Sequence, residues 1–364
     1  MDPQLLIGIA QVLLVIILLL VGLNLSLVFR YKEIDPFAKW NPHIINANLF
    51  FMFLVVGLIA AYVSTDIWSE KFVFMNNPAS AHGAEIDRMM FNSLVVAIIA
   101  SVLTNILLFF YALKYRYREG RKAHYYPHNN KLEVLWTIVP AVVLTLLIFD
   151  GVGVWHDTMT ELTEEELDEA IVYEVNGKQF GWTVRYPGED HTLGEANVGY
   201  INESAGNDIG VNYADPEAQD DLIVNEIHLP VNRTAMMRIR SRDVLHSATI
   251  AHFRVKMDAV PGMPTSFHFT PTLTTAEMRE RTGNPDFNYE MSCQQICGGG
   301  HWNMRRVIVV ETQEEYEAWL DQQKPYYEIW KTLASEEEVK AAEAAAMAAS
   351  EKEAENEEVA MATE

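Results

Sequence analysis

IVYEVNGKQFGWTVRY, residues 171–186, is where the chain changes period. From here on, short runs rich in β-branched and aromatic residues alternate apolar with polar positions. They are IVYEV, FGWTVRY, IVNEIHL (223–229), TAMMRIRS (234–241), SFHFTPT (266–272), FNYEM (287–291) and RRVIVVE (305–311). Phe287, Tyr289 and Met291 share one face, as do Phe267 and Phe269, and Gly, Pro and Asn clusters separate the runs. A period of two in short runs predicts an all-β sandwich or barrel rather than a βαβ protein.

Upstream of residue 155 the chain reads differently. Of 364 residues 49% are hydrophobic, and the long apolar runs fall in this first part. Residues 4–29, 46–64, 91–113 and 132–153 are each long enough to cross ~30 Å of hydrocarbon as a helix, and too poor in charge for core helices of a soluble protein. The first has no basic n-region and a long apolar run, so a span is expected rather than a leader. Residues 1–153 are thus predicted to form a membrane domain of four helices, followed by an acidic linker at 154–170.

Orientation follows from the loops. Loop 30–45 carries Arg30, Lys32 and Lys39; loop 114–131 carries Lys114, Arg116, Arg118, Arg121, Lys122 and Lys131. Between the second and third spans, Lys71 and Arg88 face Asp66, Glu70, Glu85 and Asp87. Basic loops stay inside, which puts the N-terminus and everything after residue 153 on the outer face of the membrane.

The β-domain is expected over 171–312, interrupted at 189–221 (EDHTLGEANVGYINESAGNDIGVNYADPEAQDD) by an acidic, Gly- and Asn-rich insertion read as a solvated loop. A helix is expected over 313–332, from TQEEYEAWLDQQ onward. Residues 333–364 are Ala/Glu/Lys low complexity, expected as a solvated helix or as disorder. The net charge of −23 sits largely on this outer part; such a field attracts basic proteins and opposes nucleic acid.

Two cysteines occur in the whole chain, both in MSCQQICGGGHWNM, residues 291–304. On an oxidising face a disulfide is the ordinary expectation for such a pair. The neighbours favour a metal instead. Cys293, Cys297, His301 and Met304 supply two thiols, an imidazole and a thioether within twelve residues, at the junction of two predicted strands. Soft sulfur donors with imidazole suit copper, whereas zinc does not ordinarily recruit methionine. Gly298, Gly299 and Gly300 let the loop curl tightly. A further ligand must come from elsewhere, and RSRDVLHSATI (240–250) offers His246 at the end of the strand that carries Met237 and Ile239.

The order NNKLEVLWTIVPAVVLTLL (129–147), NEIHLPVN (225–232), RSRDVLHS, KMDAVPG (256–262), CQQICGGGHWNM resembles subunit II of haem–copper cytochrome c oxidases over roughly residues 90–320. The resemblance implies transmembrane helices followed by a cupredoxin-like Greek-key barrel that holds a binuclear copper centre, CuA. Cys293 and Cys297 would bridge both coppers. His246 and His301 would each bind one, with Met304 completing one side and the backbone carbonyl of Gln295 the other. The implied function is electron relay, from a cytochrome c or a haem c subunit of an associated complex to the haems of subunit I, for reduction of oxygen to water with proton translocation.

Departures from the family pattern matter too. Gln295 stands where the family has a glutamate that helps bind magnesium at the border with subunit I, which leaves that ion in doubt. GKQFGW (177–182) places Phe180 where the family's first tryptophan receives electrons; Trp182 matches the second, and Trp302 is a substitute. Glu133 matches a glutamate at the mouth of a proton path. The first two spans are additions to the usual two. The chain has no C-x-x-C-H, so covalent haem is not expected in it. Other readings are a nitric oxide reductase subunit, a copper-free quinol oxidase subunit and a membrane-anchored copper chaperone.

Overall fold

The computed structural model describes residues 16–17, 19–24, 26–32, 41–69, 73 and 76–348. Three of its helices are long and apolar enough to cross a membrane: α1 (Pro42–Trp68), α2 (Gly83–Lys114) and α3 (Asn130–Met159), with mean hydropathy of 2.3–2.5 over their central windows. At ~1.5 Å per residue each exceeds the ~30 Å of a hydrocarbon core. At most 6% of those windows is buried by the chain itself, so their apolar surface needs an outside solvent of hydrocarbon or another subunit. The run predicted at 4–29 lies largely outside the described residues; its end contributes an apolar helix at Leu19–Tyr31.

Two compact units emerge. One comprises residues up to Trp68 together with Val96–Asn130, and inside it Phe50 of α1 stacks on Phe109 of α2 with centroids 4.2 Å apart. The other comprises Ser69–Val95 and everything from Lys131 onward.

The second unit is dominated by ten strands in two sheets. The first sheet runs β3 (Leu222–Val224), β2 (Gly181–Tyr186), β1 (Ile171–Lys178), β5 (Ala235–Ser241), β8 (Thr265–Phe269). The second runs β4 (Ile227–Pro230), β10 (Arg305–Glu311), β9 (Tyr289–Cys293), β6 (His246–Ile250), β7 (Val255–Ala259). Among the named strands, β1–β5 and β4–β10 pair in parallel and the others antiparallel. Alternation sends Tyr173, Val175, Trp182, Val184, Met237, Ile239, Ala248, Ile250, Tyr289 and Met291 into one shared core. Each large side chain buried there contributes roughly 1.5–3 kcal/mol.

Several runs divide where the sequence reads as continuous. IVNEIHL breaks at Asn225–Glu226 into β3 and β4, one in each sheet. His246 does not end β5 but begins β6, across a bend at 242–245 that carries the chain to the other sheet. HSATI and VKMDA are strands that were not among the predicted runs. The barrel is therefore two packed sheets whose strands cross between layers.

The flanking segments differ from expectation for local reasons. The linker 154–170 is mostly helical: α3 continues to Met159, and α4 (Glu164–Glu169) starts at Thr163, whose hydroxyl accepts the Glu166 N–H while the Glu166 carboxylate accepts the Thr163 N–H. The helix at 313–332 is two, α6 (Gln313–Leu320) and α7 (Tyr326–Leu333), because Pro325 has no N–H to continue a helix and disfavours helical geometry before it. A further short helix, α5 (Thr275–Thr282), precedes β9.

The insertion 189–221 is not a solvated loop. Ala205, Ile209, Val211, Tyr213 and Ala218 pack with Tyr327 and Trp330 of α7 and with Ala342, from the helical residues 336–348, in a second small core. Beneath it the outer face of the first sheet holds a buried ionic network. Arg185 meets Asp221 at 2.8 Å and Glu174 at 3.2 Å; Arg240 meets Glu174 at 3.2 Å and donates to the Ile209 carbonyl at 2.8 Å. Residues 349–364 of the predicted tail lie outside the described residues.

Ahead of α2, residues 79–81 form a strap along the β-domain: Ala79 N–H donates to His252 O (2.9 Å), Ala81 N–H to Thr270 O (3.0 Å), and Thr272 N–H to Ala79 O (2.8 Å). The next residue is His82, whose Nε2 is buried without a partner. Burial, and then His268 nearby, push its imidazole down to about 4.

Two outcomes are expected. Trp330→Ala removes a buried indole and destabilises the second core by roughly 3–5 kcal/mol, raising hydrogen exchange across 195–218 while the β-sandwich stays protected. For His82, the folded state resists the proton that the unfolded chain accepts near 6.5. Its full contribution is present above that pH and is lost as pH falls from about 6.5 to about 4, on the order of 2–3 kcal/mol. His82→Gln is expected to flatten this part of the acid sensitivity, read by denaturant unfolding across that window; parallel pH profiles for the two proteins would contradict it.

Candidate metal centre

The loop between β9 and β10 is the connection of an antiparallel pair whose register sets Arg305 opposite Ser292. Just beyond that pairing, Cys293 N–H donates to the Met304 carbonyl at 3.1 Å and closes the loop at its base. On its other side β9 pairs with β6, Ala248 opposite Cys293. His246 lies two residues from Ala248 along β6 and so projects from the same face, toward the cysteine.

The side chains converge. Cys293 Sγ lies 3.8 Å from His246 Nδ1, 3.2 Å from the Gln295 carbonyl oxygen and 4.0 Å from Cys297 Sγ. Cys297 Sγ in turn lies 3.6 Å from His301 Nδ1 and 3.9 Å from Met304 Sδ. One ligand atom from each of His246, Cys293 and Cys297 fits within 4.8 Å of the others, and all three residues are buried. The cysteines are free, their sulfurs well beyond the ~2.05 Å of a disulfide. Burial, with the Cys293 thiol beside it, pushes the Cys297 thiol up to about 11. Apolar burial of two thiols serves no hydrogen-bonding purpose, but ligation of a cation inverts that preference toward thiolate. Two sulfurs flanked on each side by an imidazole nitrogen, with a thioether and a carbonyl completing the set, fit copper.

Support comes from two residues that sequence reasoning passed over. Asp243 Oδ1 lies 2.8 Å from His246 Nε2, and its Oδ2 accepts the Gln179 N–H at 2.7 Å. Burial raises the Asp243 carboxyl, but the Gln179 N–H, His246 and the Val244 N–H outweigh it and hold the group below the usual carboxylate range. A carboxylate on Nε2 fixes the ring with Nδ1 facing the sulfur. The Gln179 side chain donates to the Cys297 carbonyl, so the turn between β1 and β2 grips both sides of the site. Both residues lie inside motifs already singled out, GKQFGW and RSRDVLHS; an acid three positions before a candidate histidine was the available signal.

The aromatic candidates separate by position. Trp182 is buried, edge-on to the His246 ring at 5.8 Å, so it backs the site from inside. Phe180 is 46% exposed and lies against the β9–β10 loop: a Cβ at Gly298 or Gly300 would come within 2.8 Å and 2.5 Å of its ring. Those two glycines are needed for that close approach, whereas Gly299 faces open space. Trp302 is 74% exposed at the loop surface. Glu133 is remote from all of these in sequence, in the first turn of α3, where the helix dipole favours a carboxylate.

Two family models match the chain: the transmembrane domain of cytochrome c oxidase subunit II over residues 67–152, and its periplasmic domain over 171–312. The chain belongs to the cytochrome c oxidase subunit II family. It is similar to the alternative cytochrome c oxidase subunit 2 of Bradyrhizobium diazoefficiens, 35% identical over 229 residues, spanning 62% of this chain and 76% of that one. Similarity to cytochrome c oxidase subunit 2 of Cereibacter sphaeroides is 27% over 243 residues, covering 63% and 73%. Among solved structures, the periplasmic domain of subunit II of Bradyrhizobium japonicum cytochrome oxidase covers 48% of this chain and 100% of its own, at 20% identity and a TM-score of 0.30. As a subunit II, the chain is a membrane protein and part of an oxidoreductase, and its β-sandwich is the family's cupredoxin-like domain. Most of α1 precedes the matched region.

Asp243→Asn keeps the shape of the support but weakens its hold on His246. Copper affinity measured by chelator competition is expected to fall roughly 10–100-fold, the usual cost of losing such a partner. Unchanged affinity would show that the carboxylate does not orient the ring.

Proposed function

We propose that this subunit II carries a binuclear copper centre and relays single electrons from a cytochrome c or haem c donor to the haems of subunit I, where oxygen is reduced to water. The observation that supports this most directly is the buried cluster of Cys293, Cys297 and His246, with the Gln295 carbonyl against the Cys293 sulfur and His301 and Met304 against the Cys297 sulfur. When bound between two shared thiolates, a copper pair supplies a one-electron couple in which the unpaired electron is spread over both metals.

The chain's own residues then have separable tasks. Cys293 and Cys297 would supply the two shared thiolates, and each imidazole lies against a different sulfur. Asp243 and Gln179 keep His246 and the Cys297 carbonyl in one arrangement, which limits the reorganisation that accompanies each electron. Phe180 and Trp302, both exposed beside the loop, are the contact surface offered to a donor, with Trp182 behind His246 as buried support. The acidic outer part favours a basic donor. Gln295 supplies a carbonyl but no carboxylate, so the border with subunit I lacks that ligand for magnesium. Glu133 is proposed to lie at the entrance of a proton path into subunit I. Lys- and Arg-rich loops at 30–45 and 114–131 support a cytoplasmic side there and a periplasmic β-domain.

The test is copper content and electron paramagnetic resonance on the purified oxidase. Two coppers in this subunit, with one unpaired electron split equally over two nuclei, is the expected result. Cys297→Ser is expected to abolish that signal. No such signal in the wild-type complex, with a Cys293–Cys297 disulfide that persists after reduction and copper reloading, would leave subunit II a structural component.

A further inference from the structure

Arg254 stands in the left-handed region, at φ 58°, a conformation that glycine adopts freely and arginine does not. The side chain is fully buried, and each of its nitrogens has an acceptor. Nε meets Asp87 Oδ1 and Nη2 meets Asp87 Oδ2, both at 2.7 Å. Nη2 also donates to the carbonyls of Val73 (2.9 Å) and Asn76 (3.1 Å), and Nη1 to that of Ala251 (2.7 Å). One guanidinium thus joins three segments: the turn after β6, the chain that leads into α2, and Asp87 on α2 itself. The strap reinforces the same junction, with Ser80 Oγ donating to the Phe253 carbonyl at 2.7 Å.

The junction has a bearing on the metal loop. Arg254 closes the short turn Ala251–Phe253 that links β6, the strand that begins with His246 and pairs with β9 at Cys293, to β7. A bidentate, buried arginine–carboxylate pair fixes direction as well as distance. The backbone strain at Arg254 is retained where glycine would remove it, which points to use of the side chain.

The geometry points to Asp87 and Arg254 as positioning residues for electron transfer: their ion pair and the strap 79–81 hold the β-domain, and with it the metal loop, at a fixed height and angle on the N-terminal end of α2. This rests on the electron-relay reading. In the step concerned, one electron would pass from the copper pair, oxidising it, to a haem of subunit I, reducing it, with no bond formed or broken. The pair touches neither centre and acts only through the placement of one relative to the other.

Arg254→Gly removes the guanidinium and relieves the backbone, which separates positioning from folding. In the purified oxidase, the amides of Ala79, Ala81 and Thr272 are expected to exchange at least ~tenfold faster. The copper resonance and the donor-to-copper rate are expected to stay as in wild type, while the copper-to-haem rate after flash reduction falls several-fold. Arg254→Lys, which restores charge but not the bidentate fork, is expected to recover only part of that rate. Asp87→Asn carries the same readouts independently, so a folding failure of one variant leaves the other decisive. Unchanged exchange, or faster exchange with an unchanged copper-to-haem rate, would overturn the proposal. Exchange needs no metal: absence of a two-copper signal in wild type would overturn the relay reading, and exchange at the strap would still report on the junction.

Discussion

The antiparallel register of β6 against β9 is the constraint on which the metal site depends. Ala248 lies opposite Cys293 and Thr249 opposite Ser292, so His246 and Cys293 project from the same side of the second sheet. Because side chains alternate at every residue, a slip of one position would turn His246 away from both sulfurs and Ala248 and Ile250 out of the core together. Core burial and ligand convergence are therefore enforced by the same pairing. Close packing of Tyr289, Met291, Ala248 and Ile250, all fully buried, protects the register that aligns the imidazole with the thiols.

From that register the site is braced in layers. The β9–β10 pairing closes the cysteine-bearing loop at its base, through the Cys293 N–H to Met304 carbonyl bond. The β1–β2 turn reaches across from the first sheet, with Gln179 touching Asp243 by its backbone and Cys297 by its side chain. The packing of Phe180 against Gly298 and Gly300 adds a hydrophobic wall where a Cβ would not fit. The insertion belongs to this bracing as well. Lys178, next to Gln179, pairs with Asp208, and Arg242, next to Asp243, pairs with Glu203. The acidic segment thereby anchors on the two cations adjacent to the residues that steady the metal loop.

Legibility in the sequence tracked the range of the interaction. Membrane helices were readable because hydrocarbon imposes a length and a composition that need no partner to recognise, although α1–α3 extend several residues past the apolar runs. Strand runs were readable where one face is buried along the whole run, as in FNYEM and RRVIVVE. They failed where the chain changes sheets in mid-run, at Asn225–Glu226 and at 242–245, since hydrophobic alternation carries no mark of which sheet receives the next residue. The insertion misled for a related reason. Its few apolar residues, Ile209, Val211 and Tyr213, look solvated until Trp330 and Tyr327 arrive from more than a hundred positions away.

Taken alone, the sequence determined the chemistry on offer: two thiols, two histidines, a thioether and a carbonyl, with the spacing C-x-x-x-C-x-x-x-H-x-x-M that confines four of the donor side chains to one loop. That is a local matter of donor type and chain length. The tertiary structure alone decided which groups hold those donors in place. Asp243 and Gln179 act through hydrogen bonds whose partners are set by sheet pairing, and Arg254 reaches Asp87 across 167 positions. Neither residue type nor spacing encodes such contacts, because they exist only once the two sheets are packed and the strap lies along the β-domain.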